Sequence, residues 1–193
     1  MTANAYTRKK QPELVRRALL DCAARLAVEH GPTAVTIQAV AEAAGVTKGG
    51  LLHHFASKQI LIEAVFADLL AQLGREIDRY MAEDAVAYGR FTRAYVRAAF
   101  ADHELGTRSP WAALSVSLVA EPALRQLWSD WLEARVGEHH ATDDTPMLEI
   151  VRLAADGVWL ADLLQQDCGP TRDRTALEPH LLALASAAPV PAL

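Results

Sequence analysis

The sequence predicts an all-α protein of about nine helices, built as a three-helix N-terminal head followed by a larger helical body. Apolar residues recur three and four positions apart through most of the chain, which is the spacing of amphipathic helices. Glycine and proline mark the breaks between these segments, and no segment shows the strict alternation of a strand. Apolar residues make up 51% of the 193 residues, enough to bury a substantial core and to exclude a disordered chain.

The first helix is predicted to open at Pro12 and to end near His30, because proline fits a first helical turn and Gly31-Pro32 ends the pattern. One face of this helix carries the apolar residues Leu14, Ala18, Leu19, Cys22, Leu26 and Ala27. We expect this face to brace the two short helices that follow it in the chain.

Two short helices and a tight turn are predicted between Thr36 and Lys58. The first of them carries apolar residues at helical spacing, namely Ile37, Val40, Ala41 and Ala44. Gly45 can then take the positive φ that ends a helix, and Thr47 stands at the N-cap of a second helix over residues 48–54. A helix, a glycine-containing turn and a second helix form a helix-turn-helix, whose second helix lies in the major groove of DNA. The alternative is a helical hairpin inside a core, in which the glycines only end helices.

The second helix of this pair is small and polar on one face, as expected of a surface that approaches DNA. Its candidate residues combine donors with little bulk and are Lys48, Gly49, Gly50, His53 and His54. The whole chain carries a net charge of −5, but this charge is unevenly divided. Residues 1–58 hold eight Lys or Arg against four Asp or Glu, a net of +4, and residues 59–193 hold eleven against twenty, a net of −9. A basic N-terminal module can therefore bind phosphate while the acidic remainder stays off it.

The segment Gly45–Lys58, GVTKGGLLHHFASK, resembles the signature of the TetR (tetracycline-repressor) family of bacterial transcription regulators. In that family the recognition helix ends in Leu-Tyr-His-His-Phe or Leu-Tyr-Tyr-His-Phe, followed by Ser-Lys. Leu52 departs from the pattern, because the family usually has at this place a tyrosine that reaches the DNA. Carried over by position, the resemblance implies phosphate contacts from Thr36, Thr47 and Lys58 and a DNA-facing set of Lys48, Gly49, Gly50, Leu52, His53 and His54.

A long helix is predicted from Lys58 to about Ala82, with Ser57 at its N-cap. Its apolar residues persist along its length and are Leu61, Val65, Leu69, Leu73, Ile77 and Tyr80. Because no linker follows the head, this helix would run into the body and couple the two mechanically. We therefore predict a DNA-binding domain over residues 1–57 and a ligand-binding and dimerisation domain over residues 58–193.

Five further helices are predicted, over residues 88–102, 110–120, 122–137, 146–167 and 173–187. The helix 146–167 is apolar around most of its circumference, so it needs packing partners on two sides. A second copy of the chain could supply one side, with Ala155 and Gly157 permitting close approach. The last two helices resemble the pair through which TetR proteins form a four-helix bundle across a two-fold axis, which implies a homodimer. A larger monomeric core is the alternative.

The tryptophans predict a pocket between helices of the body, where alanine and leucine otherwise dominate. Trp128 and the stretch Leu153–Trp159 are similar to a TetR subgroup that includes sensors of lipophilic, often cationic, drugs. Asp156 or Asp162 could face such a cation, helped by cation-π contact from the tryptophans. The candidate ligand-binding residues are Phe66, Leu69, Trp111, Trp128, Asp156, Trp159 and Leu163. The alternative is that these aromatic residues simply form the core.

The sequence contains no catalytic, cofactor or metal motif. HExxH, CxxC, nucleophile-elbow and phosphate-cradling patterns are absent, so we predict neither an enzyme nor a bound cofactor. The best cluster of candidate metal ligands is His139-His140 with Asp143-Asp144, which is predicted to be a solvated loop between helices. Cys22 and Cys168 lie far apart in the chain and are expected to be free thiols.

Together these patterns predict a homodimeric, ligand-responsive repressor that binds a palindromic DNA operator and is released by a lipophilic effector, with cationic compounds among the candidates. A helical binding or scaffold protein without operator control is the competing class. No segment approaches the roughly 20 apolar residues of a membrane span, and the N-terminus lacks an apolar signal segment. A cytoplasmic location with no membrane contact is therefore expected.

Overall fold

The computed structural model describes residues 5–105, 109–165, 174 and 176–187, and this part of the chain is all-α, as predicted. It forms ten α-helices and one 3-10 turn, Pro32–Ala34. The helices are α1 (Ala5–His30), α2 (Ile37–Ala43), α3 (Lys48–His54), α4 (Lys58–Glu83), α5 (Arg90–Leu105), α6 (Pro110–Ala120), α7 (Pro122–Glu138), α8 (His140–Asp143), α9 (Pro146–Gln165) and α10 (Leu177–Ser186). None of these described helices is long and apolar enough to cross a membrane.

Three differences from the predicted helix boundaries stand out, beside shifts of one to three residues elsewhere, such as α5 at Arg90–Leu105 instead of 88–102. First, α1 begins at Ala5, so Pro12 lies inside the helix instead of opening it. Proline removes the hydrogen bond to the carbonyl four residues earlier, and the helix continues on both sides of that gap. Second, α8 occupies the stretch that was predicted as a loop, and third, the last helix begins at Leu177 rather than at residue 173.

The chain divides into two compact units, each assembled from separate stretches of sequence. The first unit comprises Met1–Leu69 and Thr107–Leu127, and the second comprises Leu70–Gly106 and Trp128–Leu193. This division differs from the predicted boundary after residue 57, because the start of α4 and all of α6 pack with the N-terminal helices. Both α4 and α7 therefore supply residues to the two units.

The first unit is built around α1, which packs against α2, the 3-10 turn and α6. Its buried apolar residues include Leu19, Leu20, Ala23, Ala27, Val35, Val40, Leu51, Phe55 and Leu61. Leu14 and Ala18 were predicted on the apolar face of α1 but are exposed. The face that packs lies further around the helix and includes Leu20 and Ala23. Cys22 is a free, buried cysteine of this core, as predicted, whereas Cys168 lies outside the described residues.

In the second unit α5, α9 and α10 pack against one another. Its buried apolar residues include Ile77, Phe91, Val96, Phe100, Leu148, Val151, Ala155 and Ala185. Gly89, just before α5, has a φ of 70°, and a Cβ atom at this position would lie 2.2 Å from the Ala185 carbonyl oxygen. Both the backbone conformation and the lack of space therefore require glycine here.

The buried guanidinium of Arg93 joins α5 to two other parts of the second unit. It donates to the Asp84 carboxylate at 2.7 Å and to the carbonyl oxygens of Val86 at 2.7 Å, Tyr88 at 2.7 Å and Ala185 at 3.2 Å. The bond from Arg93 holds the pKa of Asp84 below its ordinary value. This one side chain thus satisfies three carbonyl groups and a carboxylate in a region with little access to water.

The fully buried carboxylate of Asp143, on α8, caps the N-terminus of α5. It accepts from the backbone N–H groups of Thr92 at 2.8 Å and Phe91 at 3.4 Å, and the Thr142 hydroxyl donates to it at 2.8 Å. A carboxylate at this end satisfies unpaired N–H groups and interacts favourably with the helix dipole. Asp143 therefore has a structural role, and no metal-binding cluster of His, Cys, Asp or Glu occurs among the described residues.

Candidate nucleic-acid interface

Hydrogen bonds at both ends of α2 determine the turn that leads to α3. The Thr36 hydroxyl accepts from the Ala39 N–H at 3.1 Å and begins the helix. At the other end Gly45 has a φ of 68°, and the N–H groups of Gly45 and Val46 donate back to carbonyl oxygens of α2 at 3.1 and 3.0 Å. These two bonds form a Schellman motif, which ends a helix with an abrupt change of chain direction. The helix-turn-helix predicted from the sequence is therefore present.

The next two helices, α3 and α4, begin with side-chain caps of the same kind. The Thr47 hydroxyl accepts from the Gly50 N–H at 3.0 Å, and the Ser57 hydroxyl accepts from the Ile60 N–H at 3.2 Å. Both N-caps were predicted from the sequence. Each bond satisfies one of the N–H groups that the first turn of a helix leaves unpaired. Together with the Thr36 cap, these bonds define where α2, α3 and α4 begin.

The orientation of α3 is set by Leu51, which is fully buried in the core of the first unit. Gly49 and His53 stand two residues before and after Leu51, so both lie about 200° around the helix axis from it. They occupy the centre of the face that points away from the core. The exposed residues of α3 are Lys48, Gly49, Leu52 and His53, and the half-buried ones are Gly50 and His54.

The capping threonines can also contact phosphate. A hydroxyl group has two acceptor lone pairs and one O–H donor. The caps use an acceptor position of Thr36 and of Thr47, so the O–H group of each exposed residue can still donate to a phosphate oxygen. Lys48 and Lys58 are exposed as well and add two ammonium groups. Donors of this type hold proteins on the DNA backbone, and exposed polar side chains on a helix that enters the major groove are the kind that read base edges.

Two features of this region were not identified from the sequence. The guanidinium carbon of Arg16, on α1, lies 5.1 Å from the ring centroid of Phe55, the residue that follows α3. In addition α6 packs against α1 and the 3-10 turn, although the sequence assigned it to the body. Neither contact has a sequence signal, because each joins segments that are distant along the chain.

The candidate ligand-binding residues are distributed over both units. Phe66 and Leu69 are buried in the first unit, and Trp111 of α6 meets Phe66 edge-to-face with 5.2 Å between ring centroids. In the second unit Trp128 and Trp159 are half-buried, and the Trp128 ring lies 5.5 Å from that of Trp131. The side chains of Leu163 and Asp162 lie outside the described residues.

Asp156 is a half-buried carboxylate of α9 with one close partner. The Tyr95 hydroxyl donates to it at 2.5 Å. Burial raises the pKa of Asp156, although the Tyr95 bond and the nearby Arg152 charge act in the opposite direction. Burial and the Asp156 charge together raise the pKa of Tyr95, so its hydroxyl stays protonated and acts as the donor. The sequence had selected Asp156 without identifying Tyr95.

The outward face of α9 and α10 is apolar. Its exposed large residues are Met147, Ile150, Leu153, Leu160, Leu164, Leu177 and Leu184. A groove of about 300 Å³ between the two helices is lined by Ala154, Gly157, Val158, Ala161, Arg174, Leu177, His180 and Leu181. The predicted contribution of Ala155 to this surface is wrong, because Ala155 is fully buried in the core of its own unit. Gly157 is exposed, and beyond its chain neighbours and its own helix backbone no atom of the described residues lies within 4 Å of where its Cβ would be.

Two family profiles match the chain. Residues 19–65 match the profile described as bacterial regulatory proteins, tetR family. Residues 89–186 match the profile described as tetracyclin repressor-like, C-terminal domain. The first match contains the helix-turn-helix, and the second spans just over half of the chain.

Individual proteins similar to this chain point the same way. The transcriptional repressor KstR2 of Rhodococcus jostii is 29% identical over 162 residues, which cover 76% of this chain and 77% of that protein. The transcriptional regulator BetI of Burkholderia thailandensis is 31% identical over 117 residues, 60% of each chain. The crystal structure of the multidrug binding protein EbrR complexed with ethidium has a TM-score of 0.66 at 23% identity, covering 88% of this chain and 97% of that chain.

Proposed function

The chain belongs to the TetR family of bacterial regulatory proteins, and on this basis we propose that it is a homodimeric repressor released from a near-palindromic DNA operator by a lipophilic effector. The family consists of transcriptional regulators, not of enzymes. The observation that carries the proposal is the exposed polar face of α3, which is oriented by Leu51 and held by the caps at Thr36 and Thr47. A regulator of this kind acts on the chromosome, so the proposal includes a cytoplasmic location.

The residues of the proposed interface have different roles on DNA. Thr36, Thr47 and Lys58 are proposed to contact phosphates, because they offer exposed donors at the starts of α2, α3 and α4. Lys48, on α3, is proposed to reach base edges. Its helix neighbours complete the proposed set next to the bases, namely Gly49, Gly50, Leu52, His53 and His54. Leu52 has no polar group, so it can contribute only apolar contact, such as contact with a thymine methyl group.

Fluorescence anisotropy with the DNA upstream of the protein's own gene tests this interface. Lys48→Ala should weaken specific binding by about 1–3 kcal/mol if Lys48 contacts a base. Lys58→Ala should weaken binding to all sequences similarly and make the salt dependence less steep. Arg79→Ala, which removes an exposed arginine of α4 in the second unit, serves as a control that should bind like the unaltered protein. Unchanged affinity in both lysine variants would rule out this interface.

The proposed dimer forms through the outward face of α9 and α10. The exposed leucines of this face recur at helical spacing, and Ile150, Leu153 and Leu164 are 58%, 61% and 69% exposed in the single chain. Gly157 offers a place where a second backbone can come close. A two-fold pairing would place the same helices of two copies against each other, and the operator half-sites would then lie roughly 34 Å apart or slightly more.

Sedimentation of charged variants tests the dimer. Leu153→Glu should give monomers, because it places a carboxylate in the centre of the proposed apolar interface. Val86→Glu is the matched control, since Val86 is similarly exposed, at 56%, but lies outside α9 and α10. A charge at Ala155, in contrast, would disrupt the core of the second unit and could not test association. If the unaltered protein is monomeric at micromolar concentration, the dimer proposal is wrong.

The proposed effector is a lipophilic small molecule, and a cationic group would suit Asp156. Trp128 and Trp159 offer half-buried aromatic surface in the same unit as this carboxylate. EbrR, whose fold is similar, was crystallised with ethidium, which shows that such a fold can hold a lipophilic cation. We propose these three residues as effector contacts, together with Leu163.

Effector binding could affect α3 through the packing of the first unit. Trp111 on α6 contacts Phe66 on α4, close to Leu69, and α6 also packs against α1. The sequence also selected Phe66, Leu69 and Trp111 as effector contacts. We propose that these three residues transmit a shift of α4 and α6 to the helix-turn-helix. An effector that prefers the shifted arrangement lowers DNA affinity, and a coupling of about 1–3 kcal/mol corresponds to roughly 5- to 150-fold.

Tryptophan fluorescence tests the effector proposal, with ethidium and a panel of other lipophilic cations and neutral apolar compounds as probes. Active compounds should quench the protein and release it from the DNA upstream of its gene. Trp128→Ala should abolish the response and leave unliganded DNA binding intact. Asp156→Asn should weaken the response to cations but not to neutral compounds. If no compound of the panel quenches or releases the protein, this effector class is excluded.

A further inference from the structure

The recognition helix α3 contains two adjacent glycines, Gly49 and Gly50, within only seven residues. Glycine weakens the interior of a helix relative to alanine, because the unfolded chain has more freedom to lose and no side chain is available to pack. Two glycines in so short a helix therefore need a physical reason. The structure supplies different reasons for the two positions.

Gly50 is explained by contacts within the protein. A Cβ atom at this position would lie 3.3 Å from the Thr47 hydroxyl oxygen and 3.9 Å from the Val46 Cβ. The same Thr47 oxygen accepts from the Gly50 N–H and caps the helix. A side chain at position 50 would press on the capping oxygen, so the N-cap of α3 favours glycine there.

Gly49 has no comparable reason inside the protein. The nearest atom to a Cβ at this position is the Thr47 hydroxyl oxygen at 4.0 Å, which is ordinary van der Waals contact. Its φ is not positive, so the backbone does not require glycine either. The residue is exposed, and a side chain there would point away from the core. Alanine would fit the folded protein and strengthen the helix.

From this contrast we infer that glycine at position 49 is needed for DNA binding and not for folding. At Gly49, α3 would come closest to the floor of the major groove. This inference rests on the proposed DNA-binding function. Gly49 and His53 lie at the centre of the outward face, opposite the buried Leu51. Gly49 lies in the first turn of α3 and His53 in its last turn, so a methyl group at position 49 would hold the N-terminal end of the helix away from the base pairs.

A substitution series at this position separates the two roles. Gly49→Ala and Gly49→Leu both introduce good helix formers, so both should raise the unfolding temperature or leave it unchanged. Their affinity for a duplex selected by the unaltered protein from a random library should fall by about tenfold or more for alanine, and further for leucine. Affinity for an unrelated duplex of the same length should change much less, since phosphate contacts dominate there.

Gly137→Ala is the matched control. Gly137 is also an exposed helical glycine, and outside its own stretch of helix no described atom lies within 4 Å of where its Cβ would be. It lies near the end of α7 in the second unit. This variant should be at least as stable as the unaltered protein and should bind the selected duplex with unchanged affinity. A fall in DNA affinity that follows from any Gly→Ala change in an exposed helical position would appear in this control as well.

Three outcomes would overturn the inference. The first is that Gly49→Ala binds the selected duplex like the unaltered protein. The second is that its affinity falls by the same factor on both duplexes, and the third is that its affinity falls in proportion to a loss of thermal stability. Failure of the underlying function is a different result, because the unaltered protein would then select no duplex from the library.

Discussion

Each of the two compact units contains its own polar interactions, and those of the first unit join residues closer along the chain than those of the second. In the first unit the hydroxyl caps at Thr36, Thr47 and Ser57 each bind an N–H group three residues further on. In the second unit Arg93 reaches a carbonyl 92 residues away, and the Asp143 carboxylate caps a helix that begins some fifty residues before it. The helix-turn-helix is therefore specified largely by local sequence, whereas the second unit requires its tertiary contacts to be in place.

The two units also differ in the exposure of their polar side chains. In α3 the polar residues are at the surface, and the capping bonds leave them accessible to a partner. In the second unit Thr92, Arg93, Asp143 and Arg152 are buried and bonded to one another or to backbone. Loss of a partner inside the second unit should therefore cost more free energy than loss of a cap in the first. The predictions that follow test that ordering.

The largest effect is expected for Arg93→Met. This change leaves the Asp84 carboxylate and three carbonyl groups without their donor, and breaking a buried ion pair on one side costs roughly 3–5 kcal/mol. Urea unfolding followed by circular dichroism measures the loss. Arg79→Met is the control, since it removes an exposed arginine with two carboxylate neighbours and should change stability little.

The Arg93 variant should also change the pH dependence of stability. Because the pKa of Asp84 is lowered in the folded protein, its contribution is present above the unfolded value of 3.8 and is lost as pH falls through the folded pKa. In Arg93→Met this acid-dependent loss should largely disappear. A destabilisation below about 1 kcal/mol, with an unaltered acid profile, would show that the long-range bonds contribute no more than local caps.

A smaller effect is expected for Thr47→Ala in the first unit. Removal of an N-cap side chain typically costs about 1 kcal/mol, and Thr47→Ser should restore most of it because serine is an equally good cap. Thermal unfolding of the three proteins measures this difference. If Thr47→Ala destabilises the protein as much as Arg93→Met does, the expected difference between local caps and buried long-range bonds is contradicted.

The smallest effect is expected for Asp156→Asn. The folded pKa of Asp156 is raised by burial, so its protonated form favours folding, and that contribution is lost as pH rises through the folded pKa. Asparagine can still accept from the Tyr95 hydroxyl without carrying a charge. The decline in folding stability that the unaltered protein shows above pH 3.8, the ordinary pKa of Asp156, should therefore be absent in the variant. A decline of the same size in both proteins would assign the pH dependence to other groups.

The residues of the helix-turn-helix could be predicted from the sequence because their signals are short-range. A threonine or serine just before an apolar repeat, and a glycine just after one, act through hydrogen bonds and φ values that involve a few neighbouring residues. Thr47, Ser57 and Gly45 occupy these positions in the structure. The DNA contacts proposed for residues between Thr36 and Lys58 remain predictions from the sequence.

The sequence was less informative where several arrangements satisfy the same pattern. In α1 the apolar spacing allowed a face that includes Leu14, but the packed face lies further around and leaves Leu14 exposed. In α9 apolar residues surround most of the helix, so the pattern could not tell that Ala155 faces its own core while Leu153 faces outward. Only the position of the neighbouring helices decides which side of such a helix is buried.

By itself the sequence determined the all-α class, the helix-turn-helix, its capping residues and the uneven charge, because helix propensity, capping and charge depend on composition and on residues within one or two turns. Tertiary structure decided that α6 packs on α1, that Asp143 caps α5 and that Arg93 joins Asp84 to Ala185. These contacts bring together segments that are far apart in the chain. Their favourable free energy is gained only when the whole unit folds, so no local sequence pattern predicts them.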